Sequence, residues 1–170
     1  KENELKIVSL SFPDVLTSLG TGAVDVGILI EPLVTVAVEQ GVAVVWKRGD
    51  AVYPSQQYAN LMYGPSLTKR PQVAERFMVA YLKGVRFYND VLRGKAPKAE
   101  LVAILTKNTA AKNAALYDKM VYPGLNPNGT LNVAGMAKDM QWFVDAKRMK
   151  EPIDLGKVVN KRYVDEIRRA

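Results

Sequence analysis

Three short apolar runs punctuate the first third of the chain. Residues 5–10 (LKIVSL), 24–30 (VDVGILI) and 42–46 (VAVVW) are each of strand length. The middle run is apolar except for Asp25 and Gly27, as expected of a strand covered on both faces. Between them lie two helical patterns. One starts near Ser11 or Phe12 with Pro13 in its first turn, turns Val15, Leu16 and Leu19 inward, and stops at Gly20 and Gly22. The other starts at Pro32, turns Leu33, Val36 and Ala37 inward, and stops at Gly41. The order β-α-β-α-β over residues 1–46 predicts a small parallel sheet with right-handed crossovers.

Beyond residue 46 the pattern changes. KRGDAVYPSQQ is polar and turn-rich and reads as a connection, and YANLMY (58–63) reads as an extended segment closed by Gly64-Pro65. A long helix follows, opened by Pro71 and closed by Gly94, with Gly84 in its interior as a sign of close packing or a bend. Shorter helices are predicted over 99–106 and 111–120. YPGLNPNG (122–129) is a loop, and Asn132 caps a helix over 133–149 whose inner face is Val133, Met136, Met140, Phe143 and Val144. A last amphipathic piece covers 161–169. Trp142 reads as a half-buried packing residue and the methionines as core fillers. There is no internal repeat and no low-complexity tract.

Composition narrows the chemistry. The 170 residues, 48% hydrophobic, suffice for one domain or two small lobes, and no apolar run approaches the roughly 18 residues of a membrane span. Cysteine and histidine are both absent, which removes thiol nucleophiles, thiolate and imidazole metal sites, and the Ser-His-Asp triad. No metal site, cofactor or catalytic residue is assigned. The net charge of +7 comes from scattered basic residues, the densest clusters being Lys47-Arg48, Lys69-Arg70, 147–150 and Lys161-Arg162. A solvated surface is therefore preferred to a nucleic-acid interface, which needs a continuous basic stripe.

Ligand candidates follow from where strands end. Ser11 and Phe12 follow the first strand, and Glu31 and Pro32 follow the second, at the loop where open α/β sheets bind ligands. Glu31 reads equally as a ligand contact and as a helix-start carboxylate. Tyr53 and Tyr58 flank the connection, with Tyr63, as ligand-stacking residues or as cover for a lobe junction. Ser11, Phe12, Glu31, Pro32, Tyr53 and Tyr58 together are expected to line one concave surface. Asp25, at the strand's other end, is expected to accept backbone N–H bonds from the preceding turn.

Two stretches carry a family resemblance: LGTGAVDVGILIEP (19–32), and SLTKRPQVAERFMVAYLKGVRFYND (66–90). In this order they resemble the solute-binding proteins of bacterial ABC importers, in particular the nitrate/sulfonate/taurine and thiamine-pyrimidine (NMT1-like) group. The resemblance implies a two-lobe α/β fold of the type II periplasmic-binding-protein kind, of which this chain resembles the C-terminal half. Residues 1–52 would belong to the second lobe, 53–65 to the interlobe crossing, and 66–170 to the helical end of the first. It implies no catalysis, a small ligand that is either anionic (sulfonate-, nitrate- or taurine-like) or a pyrimidine, delivery to a membrane permease, and a periplasmic or membrane-anchored extracellular location. An N-terminal partner segment would then belong to the native protein, and these residues alone would self-associate or unfold easily. The histidine-dependent pyrimidine synthase of the same superfamily is disfavoured by the lack of histidine. The effector domain of a LysR-type transcription regulator resembles the same fold and stands as the alternative.

Overall fold

In a computed structural model the chain is helical, and among the described residues no strand or sheet forms. The structure describes residues 4–54 and 56–169. Lys1–Asn3, Ser55 (within the predicted connection) and Ala170 lie outside them, as do the side chains of residues 166–169. The helices are α1 (Phe12–Thr21), α2 (Leu33–Glu39), α3 (Gly49–Val52), α4 (Pro65–Thr68), α5 (Pro71–Leu92), α6 (Lys98–Asn108), α7 (Leu116–Lys119), α8 (Val133–Asp145), α9 (Leu155–Val158) and α10 (Arg162–Arg169).

This overturns the expected α/β two-lobe fold. The runs at 5–10, 24–30, 42–46 and 58–63 are where strands were predicted, and none is paired in a ladder. The reason is physical. A helix closes its hydrogen bonds within itself, whereas a strand exists only through a neighbour. Periodicity reports that a segment suits a sheet, not that a sheet is there.

The helices themselves follow local rules. Ser11 caps α1, its Oγ accepting from the Asp14 amide at 3.4 Å and donating to Asp14 Oδ2 at 2.5 Å, with Pro13 in the first turn. Gly22 ends α1 in the left-handed region, φ 71°, where a side chain would be strained. Pro32 stands at the N-cap of α2 rather than inside it, after a cis Glu31-Pro32 bond. The helix predicted over 111–120 shrinks to α7, because Asn113 Oδ1 accepts from the Ala115 amide and holds a turn just before it. α8 stops at Asp145 instead of running to 149, and Lys147 follows at φ 56°. The single-turn helices α3, α4 and α9 lie in stretches too short for periodicity to register.

The chain divides into two compact units. The first comprises residues 1–47 and 98–124, with α1 and α7 packed on α2. Its buried residues are Thr35, Ala37, Leu101 and Tyr117. The Tyr117 hydroxyl donates to the Ala111 carbonyl at 3.0 Å and lies 2.9 Å from Thr109 Oγ1, so its one polar atom is satisfied.

The second unit comprises residues 48–97 and 125–170 and is built on α5. Ala74, Leu82, Val85, Tyr88 and Val91 recur at helical spacing and are buried, and α4 and α10 pack on this helix. Tyr163 of α10 is buried too, 5.6 Å from the Tyr63 ring, which meets Phe77 edge-on at 5.9 Å. The loop before α8 is tied to the same helix. Arg86 Nε donates to the Pro127 carbonyl at 3.2 Å, and Asn89 Nδ2 donates to the Leu125 carbonyl at 3.0 Å.

Gly84 is not a close-packing point. A Cβ placed there meets no atom within 4 Å outside its own helix. Gly84→Ala therefore gains helix propensity at no steric cost and should raise stability by about 1 kcal/mol. Urea unfolding of the two chains measures it, and a lower midpoint for the alanine variant would contradict the open space.

Tyr63 makes the second unit sensitive to alkali. Its hydroxyl donates to the Ala74 carbonyl at 2.8 Å, and burial, then repulsion from Tyr163, raises its pKa above the ordinary 10.0. The folded state thus favours the neutral phenol. That stability is fully present below the ordinary value and is lost as pH rises through the folded one. Thermal melts from about pH 9 to about pH 11 should show a falling midpoint, and Tyr63→Phe should reduce the slope. A slope unchanged by the substitution would exclude this phenol as the cause.

Candidate functional site

The residues singled out by sequence fall in different units. Ser11, Phe12, Glu31 and Pro32 belong to the first, Tyr53 and Tyr58 to the second. Ser11 is occupied as the α1 cap, and Phe12 beside it is half exposed.

Glu31 is the best-connected of the six. Its Oε2 accepts from the Thr35 amide at 3.2 Å and the Thr35 hydroxyl at 2.7 Å. Its Oε1 accepts from the Val121 amide at 3.2 Å. The N-cap proline has no acceptor side chain, so the carboxylate one residue earlier caps α2 in its place. It also joins α2 to the segment leaving α7, where Lys119 forms an ion pair with Glu39. Of the two readings held open for Glu31, the geometry selects the helix-start carboxylate. Asp25 is exposed and, among the described residues, makes no hydrogen bond, so its expected role in the preceding turn is not realised.

Tyr58 is largely exposed, its hydroxyl lying against Gly49. Tyr53 differs. It faces α8 across an open groove of about 430 Å³ lined by Tyr53, Gln56, Lys138, Asp139, Trp142 and Phe143. Helix geometry builds one wall. Lys138 and Trp142 are four residues apart, as are Asp139 and Phe143, so the four share adjoining stripes of α8. A hydrogen bond sets the other wall: Gln57 Oε1 accepts from the Asn132 amide at 2.7 Å, tying the Tyr53–Gln57 stretch to the start of α8. Asn132 Oδ1 in turn caps α8 through the Gly135 amide at 3.0 Å.

The groove has an apolar body and charged edges. Trp142 and Phe143 meet edge-on at 5.1 Å. The Lys138 ammonium stands 6.0 Å from the centre of the Tyr53 ring, and the Arg148 guanidinium 5.3 Å from that of Trp142. Aromatic walls accept an apolar or planar group, Lys138 can take an anionic one, and Asp139 a cationic one. Among the described residues no group of three or more carboxylates is placed to hold a metal ion.

Sequence reading named one of the six lining residues, Tyr53. It read Trp142 as half-buried, which its 52% exposure matches, and assigned Phe143 to the core, whereas Phe143 is 42% exposed. The available signal was the pair of i, i+4 stripes on α8 carrying two aromatics and two opposite charges.

Comparison with protein-family models, with curated protein sequences and with solved structures finds no match to this chain. Among the described residues no helix is long and apolar enough to cross a membrane.

The role of Glu31 is directly measurable. Three hydrogen bonds to a partly buried carboxylate make Glu31→Ala a destabilising change of about 1.5–3 kcal/mol, the range for bonds to charged groups. Chemical denaturation measures the loss. A change within the range of an ordinary surface substitution, about 0.5 kcal/mol, would show that the network carries no stability.

Proposed function

We propose that this protein is a small-molecule binder without catalytic activity of its own, holding its ligand in the groove between Tyr53 and α8. The observation that carries this reading is the convergence of Tyr53, Trp142 and Phe143 with Lys138 and Asp139 on one concave surface. Binding pockets combine an apolar lining with a few placed polar groups in this way. The sequence offers no histidine or cysteine to convert binding into general-base or thiolate chemistry.

The preferred ligand is a small organic anion whose apolar part lies against the aromatic rings and whose negative group meets Lys138. Asp139 leaves room for a cationic end, so an aminosulfonate such as taurine suits both charges. The resemblance of residues 19–32 and 66–90 to importer solute-binding proteins supports placing this binder in the capture step of an import system, outside the cytoplasmic membrane and serving a permease.

Calorimetric titration with taurine, a short alkanesulfonate, nitrate and an aminopyrimidine tests the reading. Taurine or the alkanesulfonate should bind. Trp142→Ala should weaken that binding at least about tenfold, equivalent to ~1.4 kcal/mol. Lys138→Met should remove the preference for the charged over the uncharged analogue. The absence of binding by all four compounds, or binding indifferent to Trp142, would overturn the proposal.

A further inference from the structure

The loop that leads into α8 carries the chain's one Asn-Gly step, Asn128-Gly129. The Gly129 N–H donates to the Asn126 carbonyl at 3.0 Å and closes a four-residue turn with Pro127 and Asn128 at its centre. Proline in second place and a negative φ at Asn128 make it a type I turn. The Asn126 side chain reinforces it, Oδ1 accepting from the Asn128 amide at 2.9 Å and from the Thr130 amide at 3.3 Å. Gly129 stands at φ 64°, a left-handed value that a side chain resists. A Cβ there would also fall 3.1 Å from Cδ2 of the buried Leu82 and 3.4 Å from Val164 Cγ2. The turn therefore requires glycine at 129, while Asn128 before it is exposed to water.

An asparagine before glycine is open to attack by its own backbone, because the following nitrogen has no neighbouring side chain to shield it. In that reaction the Gly129 nitrogen attacks Asn128 Cγ. The N–Cγ bond forms, the Cγ–Nδ2 bond breaks, and ammonia leaves with the proton of the Gly129 amide. Water then adds to one carbonyl of the resulting succinimide. Opening on one side gives aspartate. Opening on the other gives isoaspartate, whose main chain runs through the side-chain methylene and is longer by that carbon.

We propose that Asn128 is a deamidation site that the folded turn keeps closed, so that only chains in which residues 126–129 have opened acquire the change. The geometry supplies the gate. Ring closure requires the Gly129 nitrogen to lie in the plane of Asn128 Cβ. The third residue of a type I turn has ψ of about 0°, which sets that nitrogen against the residue's own amide nitrogen, roughly a third of a turn from Cβ. Rotating it into place breaks the Gly129 bond to the Asn126 carbonyl and carries the Thr130 amide away from Asn126 Oδ1. Two ties to α5 hold the same loop: Arg86 Nε donates to the Pro127 carbonyl, and Asn89 Nδ2 to that of Leu125. Once isoaspartate forms, the lengthened backbone cannot keep both the turn and the fit of Gly129 against Leu82 and Val164. The opening is then recorded in one direction.

Neither the groove nor its ligand enters this proposal. Peptide mapping by mass spectrometry follows deamidation of the full chain, incubated folded and in guanidinium chloride at the same mildly alkaline pH. Deamidation at Asn128 should be at least about tenfold slower in the folded chain, as for a reaction that passes through local opening. Asn126→Ala should raise the folded-state rate several-fold and leave the rate in guanidinium unchanged. Asn126→Asp keeps the acceptor, suits the first position of a type I turn and should restore the slow rate. Refolded chains carrying isoaspartate should melt at a lower temperature than unmodified ones. Equal rates in the two solvents, no product in guanidinium, or a folded-state rate indifferent to Asn126→Ala would overturn the closed site. An unchanged melting temperature after isoaspartate formation would overturn the one-way record. The comparison of solvents on the unsubstituted chain decides the gate even if Asn126→Ala fails to fold.

Discussion

The constraint that shapes this molecule is the demand of every backbone amide for an acceptor, met either within the chain or by water. Helices meet it locally, and the regular secondary structure among the described residues is helical. Where the sequence turns β-branched, at 5–10, 24–30 and 42–46, only the Val24 and Val42 amides reach helix carbonyls, those of Ser18 and Ala37; meeting the rest within the protein calls for a neighbouring strand, and among the described residues no ladder supplies one. Those stretches remain unpaired with much of their apolar surface in water, and the folded core is left to the helices.

Side chains complete the backbone accounting at the helix ends. Glu31 illustrates how much one carboxylate can do: it caps α2, whose own N-cap proline cannot, and reaches the Val121 amide ninety residues further along the chain. The first unit has few buried residues, so such polar ties weigh heavily beside its small apolar core. In the second unit the balance is reversed. The buried stripe of α5, with Tyr63 wedged between Phe77 and Tyr163, supplies the packing. Arg86 and Asn89 then fix the loop that leads into α8.

The groove on α8 is a by-product of that arrangement. Its aromatics are exposed because α8 buries no residue fully, and because the Gln57–Asn132 bond brings Tyr53 to face them. A side chain read as core at the level of one helix becomes a pocket wall when the next layer is only a short stretch of coil. Phe143 is such a case. Its helical position was legible and its environment was not.

Much of the local structure could be read from sequence alone. Ser11 with Pro13, Asn132, Pro71 and the glycines at 22, 41 and 94 mark helix ends because caps and left-handed turns depend on a few adjacent residues. The extent of α5 was legible for the same reason, since Pro71 at its start and Gly94 just past its end are local signals. Absence of His and Cys likewise bounded the chemistry without any coordinates. Tertiary structure alone decided whether alternating runs would pair, which of Glu31's two readings held, and that Tyr53 would meet Trp142 and Phe143. Each of these depends on groups far apart in sequence. A strand, a long-range carboxylate bridge and a two-walled groove are relations between segments, and periodicity within one segment carries no information about its partner.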